Sequence, residues 1–402
     1  LYVNAENDPN IPKQEVDAQE LILDLLKERA ETGRIYIMNI DHCNEHSSFK
    51  DKVSMSNLCQ EITLPTEPIQ HIDDHLGEIA LCILSAINVG KVRSDEELED
   101  LCDLSVRALE ELIDYQEYPV LAAEQATKSR RSLGVGFIGL AHYLAKLGFK
   151  YESQEAWDAV HGLSESFQYY LLKSSNKIAQ EKGWCENFGR TKYADGILPI
   201  DTYKKDVDDI SKQGLQHDWD TLRNDINTHG LRHSTLSAQM PSESSSVVSN
   251  ATNGIEPPRG YLSIKKSKKG PLKQIVPSYA SLKNAYTLLW DMPGNTGYIN
   301  VVAVMQKFFD QAISGNWSYN PEHYEDAEVP VSVMAQDLLT TYKLGWKTSY
   351  YQNTHDMKTD EVEDPAHPMG WHDNVEEGKS RLDSLVSELQ NANEEECESC
   401  AI

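Results

Sequence analysis

Residues 56–62 read Ser-Asn-Leu-Cys-Gln-Glu-Ile and place Asn57, Cys59 and Glu61 at alternate positions. Alternate residues of an extended chain point to the same side, so one loop can present an amide, a thiol and a carboxylate together. A thiol can give and take a hydrogen atom, a carboxylate can remove a hydroxyl proton, and an amide can orient hydroxyl groups. The set suits radical chemistry on a sugar, although a polar loop around a buried cysteine would show the same three residues.

The formal net charge of the 402 residues is −27, which argues against a protein that binds nucleic-acid phosphates through a basic face. Residues 355–402 hold 14 acidic and 3 basic residues, a net charge of −11, and few large apolar ones. We therefore expect one large unit over residues 1–354, followed by a flexible acidic tail. No stretch has the length and apolar character of a membrane span, and no signal-peptide pattern opens the chain.

Seven cysteines without a secretion signal are typical of reduced thiols, and we expect a cytoplasmic protein. Cys43, Cys102 and Cys185 lie in no motif and are expected to be small core residues. Cys82 lies in the apolar run Ala-Leu-Cys-Ile-Leu-Ser-Ala-Ile-Asn, which we interpret as part of a helix over residues 77–90.

Helical and extended patterns alternate along the chain, which predicts an α/β fold with a sheet or barrel core. Short extended runs are expected at residues 34–40, 234–240 and 347–352, with a hairpin over residues 260–276. Helices are predicted near residues 14–31, 77–90, 94–116, 137–148, 155–182, 242–249, 298–314 and 331–343.

Two patterns suggest a ligand and are better explained otherwise. Gly134-Val-Gly-Phe-Ile-Gly139 fits the dinucleotide fingerprint, but the polar run Lys128-Ser-Arg-Arg-Ser precedes it where a strand is required. Glycines for close helix packing account for it better. The lysine-rich run 265–269 is expected to be a solvated hairpin tip rather than an anion site.

A phosphate site is predicted at Pro241, Ser242, Glu243, Ser244 and Ser245, between a strand and a helix. Backbone N–H groups are free at a helix start, and the helix dipole favours an anion there. A serine-rich helix cap without a ligand would look the same.

Tyr350 and Tyr351 lie in a β-like run, where neighbours point to opposite faces. Contact between the two phenols would need an irregular backbone at that point. Phenols are the side chains best suited to lose and regain an electron together with a proton, although two ordinary strand tyrosines would give the same sequence.

Cys397-Glu-Ser-Cys400 ends the chain with a pair that can form a disulfide or supply two metal ligands. Zinc would need His367 and His372 as well, and both lie in flexible sequence. We favour a dithiol on a mobile tether that exchanges disulfides with a buried site.

Taken together, these motifs resemble the large, catalytic subunit of class I ribonucleotide reductase, over residues 19–402. The resemblance rests on Asn57–Ile62, Ala80–Asn88, Pro241–Ser245, Ser249–Gly260, the tyrosine pair and the terminal cysteines, in that order. It implies the C-terminal half of a ten-stranded α/β barrel, with Cys59 at the tip of an inward-pointing loop.

The resemblance also implies a role for each residue of the first loop. Cys59 would become a thiyl radical and take the ribose 3′ hydrogen, and Glu61 would remove the 3′-hydroxyl proton as general base. Asn57 would hold the hydroxyls, and Cys82 would be one of two reducing thiols that accompany loss of the 2′-hydroxyl as water.

The remaining motifs would serve the same reaction. Ser242–Ser245 would hold the diphosphate of a ribonucleoside diphosphate. Tyr350 and Tyr351 would relay the radical from a small subunit that carries a di-iron tyrosyl radical. Cys397 and Cys400 would reduce the active-site disulfide and be reduced in turn by thioredoxin or glutaredoxin. No metal or cofactor would be bound directly by this chain.

The resemblance fails at one end of the chain. Family chains are about twice as long, and this one lacks counterparts of the second reducing cysteine, the effector-binding segments and half of the barrel. The cysteine pair is also more closely spaced than in family tails. We therefore expect a large subunit that is split or cleaved, whose N-terminal piece binds the allosteric nucleotides. Such a split would suit a phage, in which case the protein would work in the host cytoplasm.

Two other classes of protein remain open. An adenosylcobalamin-dependent reductase would keep the cysteine loop and have no need of the two tyrosines. A non-catalytic fragment that binds the small subunit through its tail would need no thiol. Replacing Tyr350 by Phe should abolish activity in a class I reductase and spare it in an adenosylcobalamin-dependent one. Replacing Cys59 by Ser should change nothing in a fragment that only binds.

Overall fold

A computed structural model describes residues 2–267 and 270–355 of the chain. Helices and short strands alternate along it. The α-helices are α1 (Tyr2–Asn7), α2 (Ala18–Thr32), α3 (Ile40–Glu45), α4 (Asp95–Tyr115), α5 (Leu121–Arg130), α6 (Leu140–Leu147), α7 (Gln154–Lys182), α8 (Pro199–Thr202), α9 (Trp219–His229), α10 (Glu243–Val248), α11 (Tyr279–Leu282), α12 (Thr296–Gln306) and α13 (Val331–Lys343). The strands are β1 (Ile37–Met38), β2 (Ile83–Asn88), β3 (Leu133–Ile138), β4 (Leu262–Ser267), β5 (Gly270–Ile275), β6 (Trp317–Tyr319), β7 (Thr348–Ser349) and β8 (Gln352–Thr354).

The centre of the fold is a set of parallel extended segments. β2 and β3 pair in parallel over their full lengths. Val135 of β3 forms a parallel bridge with Ser237, and Gln239 forms another with Ile313. The carboxyl ends of these segments therefore meet at one edge, which is where open parallel sheets bind ligands.

The core lies between this sheet and the long helices. Every residue of β3 is buried, and the ring of Phe137 packs against Phe167 of α7 and against Phe309. Helix α4 begins at the cap residue Ser94, whose hydroxyl accepts the Glu97 N–H. An all-apolar strand between two helical layers is typical of a parallel α/β sheet.

The helix predicted over residues 77–90 is wrong, and the helix predicted over residues 137–148 begins later than expected. Residues 83–88 form β2 rather than a helix, and residues 133–138 form β3 before α6 begins. A short apolar run fits a buried strand as well as a buried helix, and periodicity alone does not separate them. Gly134 and Gly136 of the glycine fingerprint therefore lie inside β3, which follows helix α5, and Gly139 is the residue before α6.

Other predictions are confirmed. β4 and β5 form the antiparallel hairpin, and Cys43, Cys102 and Cys185 are buried. Helix α9 lies in a stretch where no helix was predicted. Over the described ranges the strands do not close into a barrel, and no helix there has the length and apolarity needed to span a bilayer. Cys397 and Cys400 lie outside the described residues.

Candidate active site

The loop that carries Cys59 folds back on itself. The Asn57 N–H donates to the Ile62 carbonyl, and the Ile62 N–H donates to Oδ1 of Asn57 at 3.1 Å. Gln60 adopts a left-handed conformation, with φ 67°. The extended backbone expected over residues 57–61 is therefore wrong, and Asn57 is an exposed side chain whose oxygen closes the turn.

The turn still brings Cys59 and Glu61 to one hydrogen-bonding group, the hydroxyl of Ser314. The Ser314 hydroxyl lies 3.2 Å from a carboxylate oxygen of Glu61 and within hydrogen-bond distance of the Cys59 carbonyl. Glu61 is buried, and Cys59 is half-buried. Ser314 itself follows the segment that pairs with Gln239, so the sheet edge fixes the loop.

Cys82, directly before β2, is connected to the segment that carries Glu61. Nε2 of Gln311 lies 3.4 Å from the Cys82 sulfur, and Oε1 of Gln311 accepts the Thr63 N–H at 3.2 Å. Thr63 follows Glu61 by two residues, so Gln311 connects the two cysteine-bearing segments. Burial, outweighing the hydrogen bond from Gln311, raises the pKa of the Cys82 thiol to about 12. The thiol stays protonated at neutral pH, as a donor of hydrogen must.

The rings of Tyr350 and Tyr351 lie against each other. The two residues lie between β7 and β8, outside both strands, and their ring centroids are 4.1 Å apart. The Tyr350 hydroxyl donates to the Cys59 sulfur at 3.3 Å. Burial and then this hydrogen bond raise the pKa of the Tyr350 phenol above its usual range. A phenol that keeps its proton must lose proton and electron together.

A third phenol completes this cluster and was not singled out in the sequence. The ring of Tyr36 lies 4.8 Å from that of Tyr350 and 5.4 Å from that of Tyr351. Its only signal was a place in the β-rich run 34–40. Ser314 and Gln311 were missed as well, because neither residue belongs to a motif.

The predicted phosphate site lies at the carboxyl edge of the same sheet. Ser242 precedes α10, and its hydroxyl is buried without a hydrogen-bond partner among the described residues. The hydroxyls of Ser245 and Ser246 donate to the Ser242 carbonyl, so they stabilise the helix start. The Ser314 N–H donates to the carbonyl of Gln239, three residues before Ser242, so this helix start follows the segment that pairs with Ser314.

No group of three or more His, Cys, Asp or Glu residues within 2–267 and 270–355 has the geometry of a metal site.

Comparison with known proteins shows the family of the chain. The family model described as "Ribonucleotide reductase, barrel domain" matches residues 1–352. The chain belongs to this family, and its site residues all lie within the matched range, apart from the terminal cysteines.

Its relatives include the ribonucleoside-diphosphate reductase subunit alpha of Haemophilus influenzae, which is 57% identical over 367 residues, 90% of this chain and 48% of the relative. The subunit alpha of Escherichia coli reductase 1 is 53% identical over 385 residues, 95% of this chain and 50% of the relative. That of Enterobacteria phage T4 is 43% identical over 371 residues, 90% of this chain and 48% of the relative. The chain thus spans about half the length of these relatives.

Proposed function

We propose that this chain is the catalytic C-terminal portion of a ribonucleoside-diphosphate reductase large subunit, which reduces ribonucleoside diphosphates to deoxyribonucleoside diphosphates by thiyl-radical chemistry. The observation that carries the proposal is the 3.3 Å contact between the Tyr350 hydroxyl and the Cys59 sulfur. A phenol that hydrogen-bonds a thiol, beside a buried carboxylate, has little use in a protein that only binds.

The first step is radical transfer into the site. An oxidised Tyr351 takes a hydrogen atom from Tyr350, whose ring it contacts, and the resulting Tyr350 phenoxyl takes one from the Cys59 S–H. Each step moves one electron and one proton, so no charge is left in the buried site. The contact distances support this order of transfer, and they favour a small radical-generating subunit over an adenosylcobalamin-dependent enzyme.

The second step uses the pair held by Ser314. The Cys59 thiyl takes the 3′ hydrogen of the ribose, and the Glu61 carboxylate accepts the 3′-hydroxyl proton. The Ser314 hydroxyl keeps the Glu61 carboxylate oriented toward the Cys59 loop. Asn57, on the same turn, supplies an exposed amide that can donate to a substrate hydroxyl.

The third step is reduction. Loss of the 2′-hydroxyl as water requires two electrons and two protons, which Cys82 and a second thiol supply as they form a disulfide. The second thiol would come from an N-terminal piece of the large subunit. Cys397 and Cys400 then reduce that disulfide by thiol exchange and are themselves restored by thioredoxin or glutaredoxin. Cys59 returns its hydrogen to the substrate and becomes a thiyl radical again.

Substrate binding is proposed for Pro241, Ser242, Glu243, Ser244 and Ser245 at the sheet edge. The buried, unpartnered hydroxyl of Ser242 supports an anion there. The allosteric nucleotides and the remaining barrel strands would belong to an N-terminal piece of the large subunit.

Apolar surface near the loop supports a missing neighbour. Leu58 is 76% exposed at the tip of the thiol loop, and Leu81 and Leu84 are exposed along β2. Within the described residues β2 pairs only with β3, which leaves one strand edge open. An open edge with apolar side chains is normally covered. We propose that further barrel strands lie there and complete a ten-stranded barrel.

The test is an assay of ribonucleoside-diphosphate reduction. This chain is assembled with the other half of the large subunit, on one polypeptide or added separately, and with the small subunit. Replacing Cys59 by Ser, or Tyr350 by Phe, should reduce turnover to background while the assembly still forms. Replacing Cys185 by Ser and Tyr342 by Phe gives matched controls, because Cys185 is buried elsewhere and Tyr342 contacts Asp41 at the surface.

The outcomes separate the three classes of protein. Activity that survives Tyr350→Phe would exclude the tyrosine relay and favour adenosylcobalamin. Small-subunit binding without any turnover, in the parent assembly, would favour a non-catalytic fragment.

A further inference from the structure

Arg29 is the residue that connects the backbones of the three clustered tyrosines. It lies in α2 and is fully buried. Its Nη1 donates to the Tyr350 carbonyl at 2.9 Å and to the Ile35 carbonyl, and its Nη2 lies 3.4 Å from the Tyr351 carbonyl. The Ile35 carbonyl belongs to the peptide bond that leads into Tyr36. One guanidinium therefore contacts the main chain at all three phenols.

A second contact fixes the guanidinium itself. Its central carbon lies 4.6 Å from the ring centroid of Trp317, which is also fully buried. The backbone N–H of Trp317 donates to the Tyr351 carbonyl at 2.9 Å. Trp317 therefore contacts both the guanidinium of Arg29 and the Tyr351 peptide. Cation–π contact of this kind holds a planar guanidinium in one orientation.

The charge of Arg29 has no acidic counterpart in the described part of the chain, because its hydrogen bonds all go to carbonyl oxygens. Burying a cation without a carboxylate is costly for stability. Burial lowers its pKa to about 10, which leaves it charged at neutral pH. An apolar residue would fill the same space without the free-energy cost of burying a charge. The geometry of the guanidinium is therefore the better explanation for an arginine at this position. A lysine ammonium could not span the same three carbonyls in one plane.

The peptide that Arg29 holds is the one that departs from strand geometry. β7 ends at Ser349 and β8 begins at Gln352, so the two tyrosine residues carry the irregular backbone that brings their rings together. Neighbouring side chains of a regular strand would point to opposite faces. Whatever fixes this peptide also fixes the distance from the Tyr350 hydroxyl to Cys59.

We propose that Arg29 is a positioning residue of the radical relay, which sets the mutual placement of Tyr36, Tyr350 and Tyr351 through their backbones. This inference rests on the relay in the proposed function. Arg29 touches no reacting atom and acts through the peptides that it holds.

The test compares two variants in the assembled enzyme. Arg29→Lys keeps the charge and loses the planar fork, and Arg29→Gln loses the charge and keeps one amide donor group. A misplacement of about 1 Å between reacting groups can lower a rate on the order of 100-fold. We expect kcat for nucleotide reduction to fall by about that factor in each variant, with KM for the substrate unchanged.

Arg130→Lys is the matched control. Arg130 is equally buried but pairs with Glu78 and Asp51, away from the tyrosines. The Arg130→Lys variant should lose thermal stability to a degree similar to that of the Arg29 variants and keep the parental kcat. A second readout uses 3-nitrotyrosine at position 351, whose visible absorbance reports its ionisation. Its pKa should shift in the Arg29 variants and stay constant in Arg130→Lys.

Each outcome decides the proposal. A folded Arg29 variant with parental kcat overturns it, and so does a loss of fold in both variants, which would make Arg29 a residue of general stability. Tyr350→Phe separates this failure from that of the relay: if Tyr350→Phe abolishes turnover while Arg29→Lys does not, only the positioning role is wrong.

Discussion

The hydroxyl of Ser314 donates to the Glu61 carboxylate at 3.2 Å, although Ser314 lies 253 residues after Glu61 in the chain. The same hydroxyl contacts the Cys59 carbonyl, and the Ala312 N–H donates to the Glu61 carbonyl at 3.0 Å. One short segment of the sheet edge thus holds both the main chain and the side chain of the thiol loop. The orientation of the proposed general base depends on this segment.

Ser314→Ala should lower kcat for nucleotide reduction on the order of 10- to 100-fold, since a general base acts only in the right geometry. Loss of the donor leaves a buried carboxylate with one partner fewer, which should cost about 1–3 kcal/mol of stability. Steady-state kinetics and urea unfolding measure the two effects. Ser174→Ala is the control, because Ser174 donates to Asp103 between α7 and α4. Equal kcat losses in the two variants would contradict the role of Ser314.

The Cys82 thiol should be a slow nucleophile in the folded protein. Its pKa is raised to about 12 by burial, and only the thiolate reacts with iodoacetamide. At pH 8 we expect alkylation of Cys82 to be roughly 1,000-fold slower than in the same chain unfolded in guanidinium chloride. Peptide mass spectrometry follows the modification of each cysteine separately. Equal rates in the folded and unfolded chains would show that the thiol is not buried.

Some of the candidate site residues could be singled out in the sequence by their local motifs. The thiol, the carboxylate and the tyrosine pair were identified because each lies in a short motif with a chemical meaning. The expected irregular backbone at Tyr350 and Tyr351 is also present. Local patterns of this kind are visible without any knowledge of the fold.

Long-range contacts explain what the sequence did not show. Ser314, Gln311 and Arg29 act on residues more than 200 positions away, and each looks like an ordinary polar residue in its own segment. The helix expected around Cys82 is a strand because the neighbouring β3 supplies a parallel partner. Tertiary pairing decides such a short apolar run, and periodicity alone does not indicate it.

The glycines of β3 allow close packing rather than nucleotide binding. A Cβ at Gly136 would lie 2.6 Å from the Ala238 carbonyl oxygen, a backbone atom that cannot move aside. Gly136→Ala should therefore destabilise the protein by about 1–3 kcal/mol, as overpacking of a core does. Urea unfolding measures the change.

Two other glycine variants test this explanation. At Gly134 a Cβ would meet the Leu84 side chain at 2.5 Å, and Leu84 is partly exposed, so Gly134→Ala should cost less than Gly136→Ala. Gly189 has no atom within 4 Å of such a Cβ, and Gly189→Ala should leave stability nearly unchanged. A neutral Gly136→Ala would refute close packing at β3.

His161 should make the fold sensitive to acid. Its ring is fully buried against Phe308, and neither ring nitrogen has a hydrogen-bond partner in residues 2–267 and 270–355. Burial, followed by nearby Lys307, lowers its pKa to about 4. The unfolded chain therefore binds a proton between pH 6.5 and 4 that the folded chain excludes. The free energy of unfolding must fall as the pH decreases through this window.

Replacing His161 by Leu removes this proton uptake and fills an apolar site. At pH 4.5 the variant should be more stable than the parent by on the order of 1–3 kcal/mol, and at pH 7.5 the gain should be smaller. Urea unfolding at a series of pH values measures both differences. The dependence of the free energy of unfolding on pH should weaken without disappearing, because His142 also has a pKa lowered to about 4. His229 is exposed, and His229→Leu should leave the slope unchanged. If His161→Leu shows the parental slope between pH 6.5 and 4, the buried ring is not the group that couples this fold to protons.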